Sequence, residues 1–332
     1  MPEKVAVIGA GSWGTTVAAM AAQRVPTVVW ARRAELARAI GADRRNDDYL
    51  PGVTLPASLS ATSELDDALA GADLLVMAVP SHGFRRVLGE LAPLVSPGVP
   101  VLSLTKGLEA DSHLRMTQVV ADVLPGHATG VLTGPNLARE VAAGHPAASV
   151  VAMDDELVAT SVQQLLLGDS FRVYTNPDVV GCEACGATKN VLAIAAGIVD
   201  GLGLGESSRA ALVTRGLAEL GRLVVAMGGQ RLTIAGLAGV GDMVATCTSG
   251  LSRNRTVGAL LGQGVPLEKI LADMRMVAEG VKTARPLLEL AAEHGVEMPI
   301  GEQVALVLEG ARTPEAAVRT LMQRSAKSEF GR

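Results

Sequence analysis

Near the amino end, the stretch Val5-Ala6-Val7-Ile8-Gly9-Ala10-Gly11-Ser12-Trp13-Gly14 constrains the fold more than any other part of the chain. Its first four residues, all small or branched apolar, read as a strand and lead straight into G-x-G-x-x-G. Thr15 to Ala22 then reads as an alanine-rich helix, and Thr27 to Trp30 as a second strand. A dinucleotide needs this arrangement. Gly9 permits the tight strand-to-helix turn, Gly11 lets backbone approach a pyrophosphate without a Cβ in the way, and Gly14 lets the helix pack closely on the strand. The N–H groups at the helix start face the negative charge. With 37 glycines in the chain the spacing alone is weak. The preceding strand, the following helix and the next strand are what make it a nucleotide cradle.

At 332 residues the chain is long enough for two domains, and for burial of about three quarters of its unfolded surface. Aromatic residues make up 2% against 48% hydrophobic, so the core must be built from Ala, Val, Leu and Ile. The net charge of −5 argues against nucleic acid as the main partner, and an anionic small molecule would need a local basic pocket. Cys182, Cys185 and Cys247 cannot pair off completely, which favours a reducing compartment. Cys182 and Cys185 have C-x-x-C spacing, yet nothing nearby supplies two more metal ligands. Buried small residues are the better reading, and no metal is expected. No apolar run looks long enough to span a bilayer, and the glycines of the first turn would interrupt a secretory signal. A soluble, cytoplasmic protein is expected.

Ala31-Arg32-Arg33 follows the second strand, where an NAD-only site usually carries a carboxylate for the ribose 2′-hydroxyl. Two guanidinium groups there suit a 2′-phosphate and favour NADP without excluding NAD; alternatively, they solvate a helix start. Asp43 to Ser60 reads as a loop. Strands are then expected at Leu74–Val79, Val101–Leu104, Gly130–Leu132, Ala148–Met153 and Phe171–Tyr174, with helices between them. This alternation predicts an α/β fold with a doubly wound, mostly parallel sheet, whose ligands gather at the carboxyl ends of its strands. Turns at Ser81-His82, Lys106-Gly107 and Gly134-Pro135-Asn136 fall there. His82 reads as a loop residue. Lys106, at a strand end beside a glycine, is either a site cation or a solvated lysine.

After Asn176-Pro177-Asp178 no strand is evident. Helices are expected through Lys189–Val199, Glu206–Met227, Glu268–Met276, Ala284–His294 and Glu302–Glu309. The chain therefore divides into a nucleotide-binding domain, 1–177, and an all-helical domain, 178–332. In the first helical stretch, Lys189-Asn190 is the strongly polar pair of an otherwise apolar helix. Burial would disfavour the charged lysine and make it a general base near neutral pH, unless its stem snorkels to water. A second segment runs from Gly236 through Asp242, Thr246 and Cys247 to Ser252-Arg253-Asn254-Arg255. It reads either as an anion pocket, with Thr246 one helical turn beyond Asp242, or as a turn between helices.

Taken in order, these motifs resemble the bacterial NAD(P)-dependent sn-glycerol-3-phosphate dehydrogenases over nearly the full length. The matching residues are the Gly9–Gly14 turn with Ser12 and Trp13, Trp30-Ala31-Arg32, Thr105-Lys106-Gly107-Leu108-Glu109 and Gly134-Pro135. Lys189-Asn190-Val191, Gly241-Asp242, Thr246-Cys247, Ser252-Arg253-Asn254-Arg255 and Val277-Ala278-Glu279-Gly280 complete them. The resemblance implies a Rossmann domain followed by a helical domain like the carboxyl-terminal one of 6-phosphogluconate dehydrogenase. It implies interconversion of dihydroxyacetone phosphate and glycerol 3-phosphate, a phospholipid precursor, with NADP or NAD as cofactor. It makes Lys189 the proton acceptor, assisted by Lys106 and Asp242. Substrate contacts fall to Lys106, Gly134, Asn136, Lys189, Asp242, Ser252, Arg253 and Asn254. The dinucleotide falls to Gly9, Gly11, Ser12, Trp13, Gly14, Arg32, Arg33, Lys106, Ala138, Arg253, Val277 and Glu279. Asn136 stands where the family usually has Ser or Thr. A β-hydroxyacid or 6-phosphogluconate-type dehydrogenase and a non-catalytic NADP sensor are the competing expectations. A homodimer through the helical half is also expected.

Overall fold

In the computed structural model, which describes residues 1–274, 277–326 and 328–329, strand β1 (Val5–Ile8) is buried along its whole length. Alternate side chains of a strand point to opposite faces, and here both faces are covered. Val5 and Val7 join an apolar cluster with Val17, Ile40 and Val76; Ala6 and Ile8 join another with Leu75, Met77 and Phe84. The sheet is completed by β2 (Thr27–Trp30), β3 (Leu59–Thr62), β4 (Leu74–Met77), β5 (Val101–Ser103), β6 (Thr129–Thr133), β7 (Ala147–Met153) and β8 (Phe171–Asn176). Its order is β3-β2-β1-β4-β5-β6-β7-β8. The first six strands run parallel, with Val7 opposite both Val29 and Val76. β7 runs antiparallel to β6 and carries β8 parallel to itself.

Helices α1 (Ser12–Ala21), α2 (Ala34–Gly41), α3 (Leu65–Leu69), α4 (Ser81–Leu91), α5 (Met116–Val123), α6 (Ala138–Ala142) and α7 (Glu156–Leu166) connect the strands. The expected doubly wound, mostly parallel sheet is thus present. Strand order reverses between β1 and β4, the switch point at which such sheets bind ligands. Because β1, β4, β5 and β6 share a direction, Gly9, Ser81, Lys106 and Gly134 all follow strand ends at one edge. The expected loop reached Ser60, whereas β3 begins at Leu59. Its sequence, Leu-Ser-Ala-Thr, is a polar, half-buried edge strand whose order comes from pairing with β2.

The remainder is helical: α8 (Val179–Gly201), α9 (Glu206–Ala226), α10 (Arg231–Ile234), a π-helical turn (Leu237–Gly241), α11 (Asp242–Thr248), α12 (Arg253–Gly262), α13 (Leu267–Asp273), α14 (Glu279–Glu293), α15 (Pro299–Leu308) and α16 (Pro314–Met322). The helix expected over Glu268–Met276 matches α13 through Asp273, and its residues 275 and 276 lie outside the described residues, as do 327 and 330–332. α8 is the hub, extending ten residues before Lys189. Asp178 caps it by accepting from the Gly181 N–H at 2.8 Å, and also receives the Gln230 N–H and the Thr233 hydroxyl. By length and composition α8 is long and apolar enough to cross a membrane, which corrects the expectation of no such run. Of its apolar 18-residue window 94% is buried inside the protein, as in a core helix. Cys182, Cys185 and Cys247 are buried free thiols, and burial pushes Cys185 and Cys247 up to about 12.

One contact ties the loop before α5 to α14. The His113 ring nitrogens lie 2.8 Å from Glu293 and 2.8 Å from Glu289, and these carboxylates, Glu293 most, raise its pKa above the ordinary histidine range. A raised histidine contributes stability that is complete below its unfolded value and fades as pH rises through the folded one. Replacing His113→Gln should therefore cost about 0.2–1 kcal/mol in urea unfolding below about pH 6, given the exposed carboxylates, and nothing at alkaline pH. An equal difference at both pH values would contradict this.

Candidate active site

Three charged side chains meet where α8 and α11 face the ends of β5 and β6. Lys189 Nζ donates to Asp242 Oδ1 at 2.7 Å and to Thr246 Oγ1 at 2.6 Å. Lys106 Nζ donates to the other oxygen, Asp242 Oδ2, at 2.6 Å and to the Gly134 carbonyl at 3.0 Å. Thr246 completes the ring by donating to Asp242 Oδ1 at 3.1 Å. Side-chain exposure is 2% for Asp242, 8% for Lys189 and 16% for Lys106, so the ammonium of Lys189 does not reach bulk solvent.

Charge inside this cluster is set by burial and proximity. Burial lowers the Lys189 pKa, Asp242 opposes that, and the second cation, Lys106, lowers it again; the result is about 8. Burial alone would raise the Asp242 carboxyl, but the two lysines outweigh it and hold it below its ordinary range. Two ammonium groups against one carboxylate leave a net positive site, which can meet a phosphate ester or a developing alkoxide in a chain that is otherwise acidic.

A second layer fixes these groups. Asn190 donates to the Lys106 carbonyl at 3.0 Å and accepts from Asn254 at 2.9 Å; Asn254 in turn accepts from the Gly280 N–H at 2.9 Å. Ser252 caps α12 through the Arg255 N–H. The segment read as an anion pocket or a turn comprises the π-helical turn, α11 and the start of α12, where Arg253 is exposed and donates to the Val277 carbonyl at 2.7 Å. Glu279, at the first turn of α14, accepts from the Ser81 hydroxyl at 2.7 Å and the Ser81 N–H at 3.2 Å, which joins the helical half to the end of β4.

The first turn fits a dinucleotide. A Cβ on Gly9, whose φ is +120°, would stand 2.5 Å from the Ala78 carbonyl oxygen, and one on Gly14 would stand 2.1 Å from the Gly9 carbonyl. Above Gly11 there is nothing within 4 Å, which leaves open room over the backbone at the start of α1. Ser12 donates to the Tyr49 carbonyl at 2.6 Å, and Trp13 packs on Phe171 with ring centroids 6.3 Å apart. Arg32 and Arg33 are both exposed, and Arg33 is paired with Asp48. Ala138 begins α6 beside α1, its carbonyl 3.4 Å from the Thr16 hydroxyl.

Among the residues read from the sequence, Lys106, Gly134, Lys189 and Asp242 converge on one point, and Asn254 is linked to Lys106 through Asn190. Glu279 meets Ser81, while Ser252 and Arg253 stand at the start of α12. Asn136 is differently engaged: its amide donates to the Ala148 carbonyl at 2.9 Å and accepts from Ser149 at 2.8 Å, which secures the turn to β7. Thr246 was marked in the sequence by its i, i+4 spacing from Asp242, and Ser81 by its place after a strand end, but neither was given a role there; the structure puts Thr246 on the Lys189 ammonium and Ser81 on Glu279.

Two family models match this chain: the amino-terminal part of NAD-dependent glycerol-3-phosphate dehydrogenase over residues 4–159, and its carboxyl-terminal part over 178–319. A glycerol-3-phosphate dehydrogenase (NAD(P)+) 2 from Sphingopyxis alaskensis is 56% identical over 326 residues, 98% of each chain. A glycerol-3-phosphate dehydrogenase (NAD(P)+) from Geobacter sulfurreducens is 53% identical over 333 residues, 99% of each. A crystal structure of glycerol-3-phosphate dehydrogenase from Coxiella burnetii superposes with a TM-score of 0.93 at 39% identity, covering 97% of this chain and 99% of that one. With relatives this similar along both halves, and a cation-rich site poised at the edge of a dinucleotide cradle, the chain belongs to the NAD-dependent glycerol-3-phosphate dehydrogenase family.

Proposed function

We propose that this protein reversibly reduces dihydroxyacetone phosphate to sn-glycerol 3-phosphate, with Lys189 moving the proton. The observation that carries the reading is one buried carboxylate, Asp242, shared by two lysines that approach it from different halves of the chain. Gly9, Gly11, Ser12, Trp13, Gly14, Ala138, Arg253, Val277 and Glu279 would hold NADP or NAD, which when bound would supply or accept the hydride at C2. In reduction, the Lys189 ammonium gives a proton to the ketone oxygen as negative charge develops there, and Lys106 stabilises that charge. In oxidation, neutral Lys189 takes the hydroxyl proton. Asp242 and Thr246 orient the Lys189 nitrogen in both directions. Arg253, Asn254 and Ser252 surround the phosphate, with Gly134 and Asn136 at the turn opposite.

A lysine with a pKa of about 8 sets the sign of the pH dependence. The kcat/KM for glycerol 3-phosphate oxidation should rise as pH passes through about 8, and that for ketone reduction should fall. Following the reduced nicotinamide absorbance with dihydroxyacetone phosphate tests the reading directly. No turnover with that ketone, or two profiles of the same sign, would refute it. A non-catalytic sensor would not need both lysines, and both are present.

Arg32 and Arg33 are read as the 2′-phosphate contacts that make NADP acceptable. Replacing both with alanine should weaken NADPH binding by about 10–100-fold, the loss of one or two charge-assisted contacts, while NADH changes little. Equal loss for both nucleotides, measured by fluorescence titration, would place the arginines elsewhere. We read the chain as two domains, 1–177 and 178–332, supported by the separate matches ending at 159 and starting at 178. A cytoplasmic homodimer supplying the glycerol backbone of phospholipids completes the reading.

A further inference from the structure

Glu183 is a carboxylate that the mechanism does not use, only 8% exposed, on the apolar first half of α8. Its partners lie far away in the chain. It accepts from the Thr117 N–H at 2.9 Å, from the Thr117 hydroxyl and from the Arg115 guanidinium. Thr117 is the second residue of α5, and Arg115, at the helix start, has no side-chain acceptor to offer. The end of α5 is therefore capped by a charge delivered from another helix. A serine or aspartate at position 115 would cap α5 equally well. What only Glu183 supplies is a tie between α5 and α8.

Two more contacts lie on the same face of α8, since offsets of three and seven residues recur on one side of a helix. A Cβ on Gly186 would stand 3.5 Å from Lys106 Cγ, so the helix rests on the lysine's stem. Asn190 holds the Lys106 carbonyl at 3.0 Å. Glu183, Gly186 and Lys106 also border one narrow crevice, together with Thr105, Thr133 and Cys182. We propose that Glu183 is a positioning residue: its grip on the start of α5 fixes the 105–117 segment against α8 and thereby sets how closely the Lys106 ammonium approaches Lys189.

The consequence has a sign. The groups acting on Lys189 are Asp242 and Cys247 of α11 and Lys106 of the segment after β5; of these charges, Lys106 alone holds Lys189 down. Loosening the segment lets Lys106 withdraw, and Lys189 rises. Deleting the negative charge of Glu183 would act on Lys189 directly in the opposite direction. Sign therefore separates positioning from plain electrostatics.

The inference rests on Lys189 as the proton-moving group. In the holoenzyme, Glu183→Gln, which is nearly isosteric, and Thr117→Val, which keeps the charge, should each lower kcat for glycerol 3-phosphate oxidation by about tenfold. Each should also move the acid limb of kcat/KM up by about 0.5 in pH, with KM for the nucleotide within about threefold of wild type. In a Lys106→Met background, neither Thr117→Val nor Glu183→Gln should move the residual profile up any further, because the positioning route is gone. A lower melting temperature with an unmoved profile would make Glu183 merely structural and overturn the proposal, as would a downward shift. If one variant fails to fold, the other decides. Turnover retained in Lys189→Met would remove the base assignment instead, a result independent of either variant.

Discussion

Replacing Lys189 with methionine should lower kcat for dihydroxyacetone phosphate reduction by about 10³-fold or more while NADPH still binds. General acid–base catalysis by one group contributes about 10²–10⁴, and an ammonium beside the developing alkoxide adds electrostatic stabilisation of its own. Methionine keeps the length and apolar character of the stem in a helix whose neighbours are buried. Asp242 is not abandoned, because Lys106 still donates to Oδ2 and Thr246 to Oδ1. The fold should survive and the melting temperature should hold, since an ammonium kept in place against its burial is removed. Single-turnover kinetics with bound NADPH would isolate the chemical step. A kcat within tenfold of wild type would assign the proton to another group.

Gly197→Ala should cost about 3 kcal/mol or more, from a single added methyl. α8 and α12 cross with their backbones almost touching. A Cβ on Gly197 would stand 2.0 Å from the Arg255 carbonyl oxygen, and one on Gly258 would stand 2.0 Å from that of Ile194. The obstruction is main chain on both sides, so no rotamer change relieves it and the helices must separate, the severe end of overpacking. Separation also displaces the start of α12, where Ser252, Arg253 and Asn254 stand, so activity should fall with stability. Gly89, exposed in α4 with nothing within 4 Å of its missing Cβ, is the control. Gly89→Ala should be neutral or stabilising by about 0.5–1 kcal/mol through helix propensity. Equal melting temperatures for the two variants would refute the close-crossing argument.

Local signals carried the first half of the molecule well. Val5–Ile8 was legible as a strand because four apolar residues buried on both faces cannot be mistaken for a surface element, and the glycine spacing after it has a specific physical use. Lys189 stood out as a charge within an apolar helix. β3 was not legible, since Leu-Ser-Ala-Thr has little to bury and owes its order to β2. The antiparallel join of β6 to β7 was also hidden, because a strand's own residues do not record the direction of its neighbour. The length of α8 was underread because glycine and cysteine lower helix propensity while its packing inside the helical core overrides that cost.

By itself the amino-acid order determined that a dinucleotide cradle opens the chain, that a helical half follows, and that lysines at 106 and 189 are its chemically unusual cations. Only the tertiary structure decided what those cations do. Lys189 meets Asp242 across 53 residues, Lys106 meets it across 136, and Ser81 meets Glu279 across 198. A lysine's affinity for its proton depends on what surrounds the nitrogen rather than on its neighbours in sequence. The shift to about 8 therefore exists only once the folded chain has excluded water and brought a second positive charge alongside.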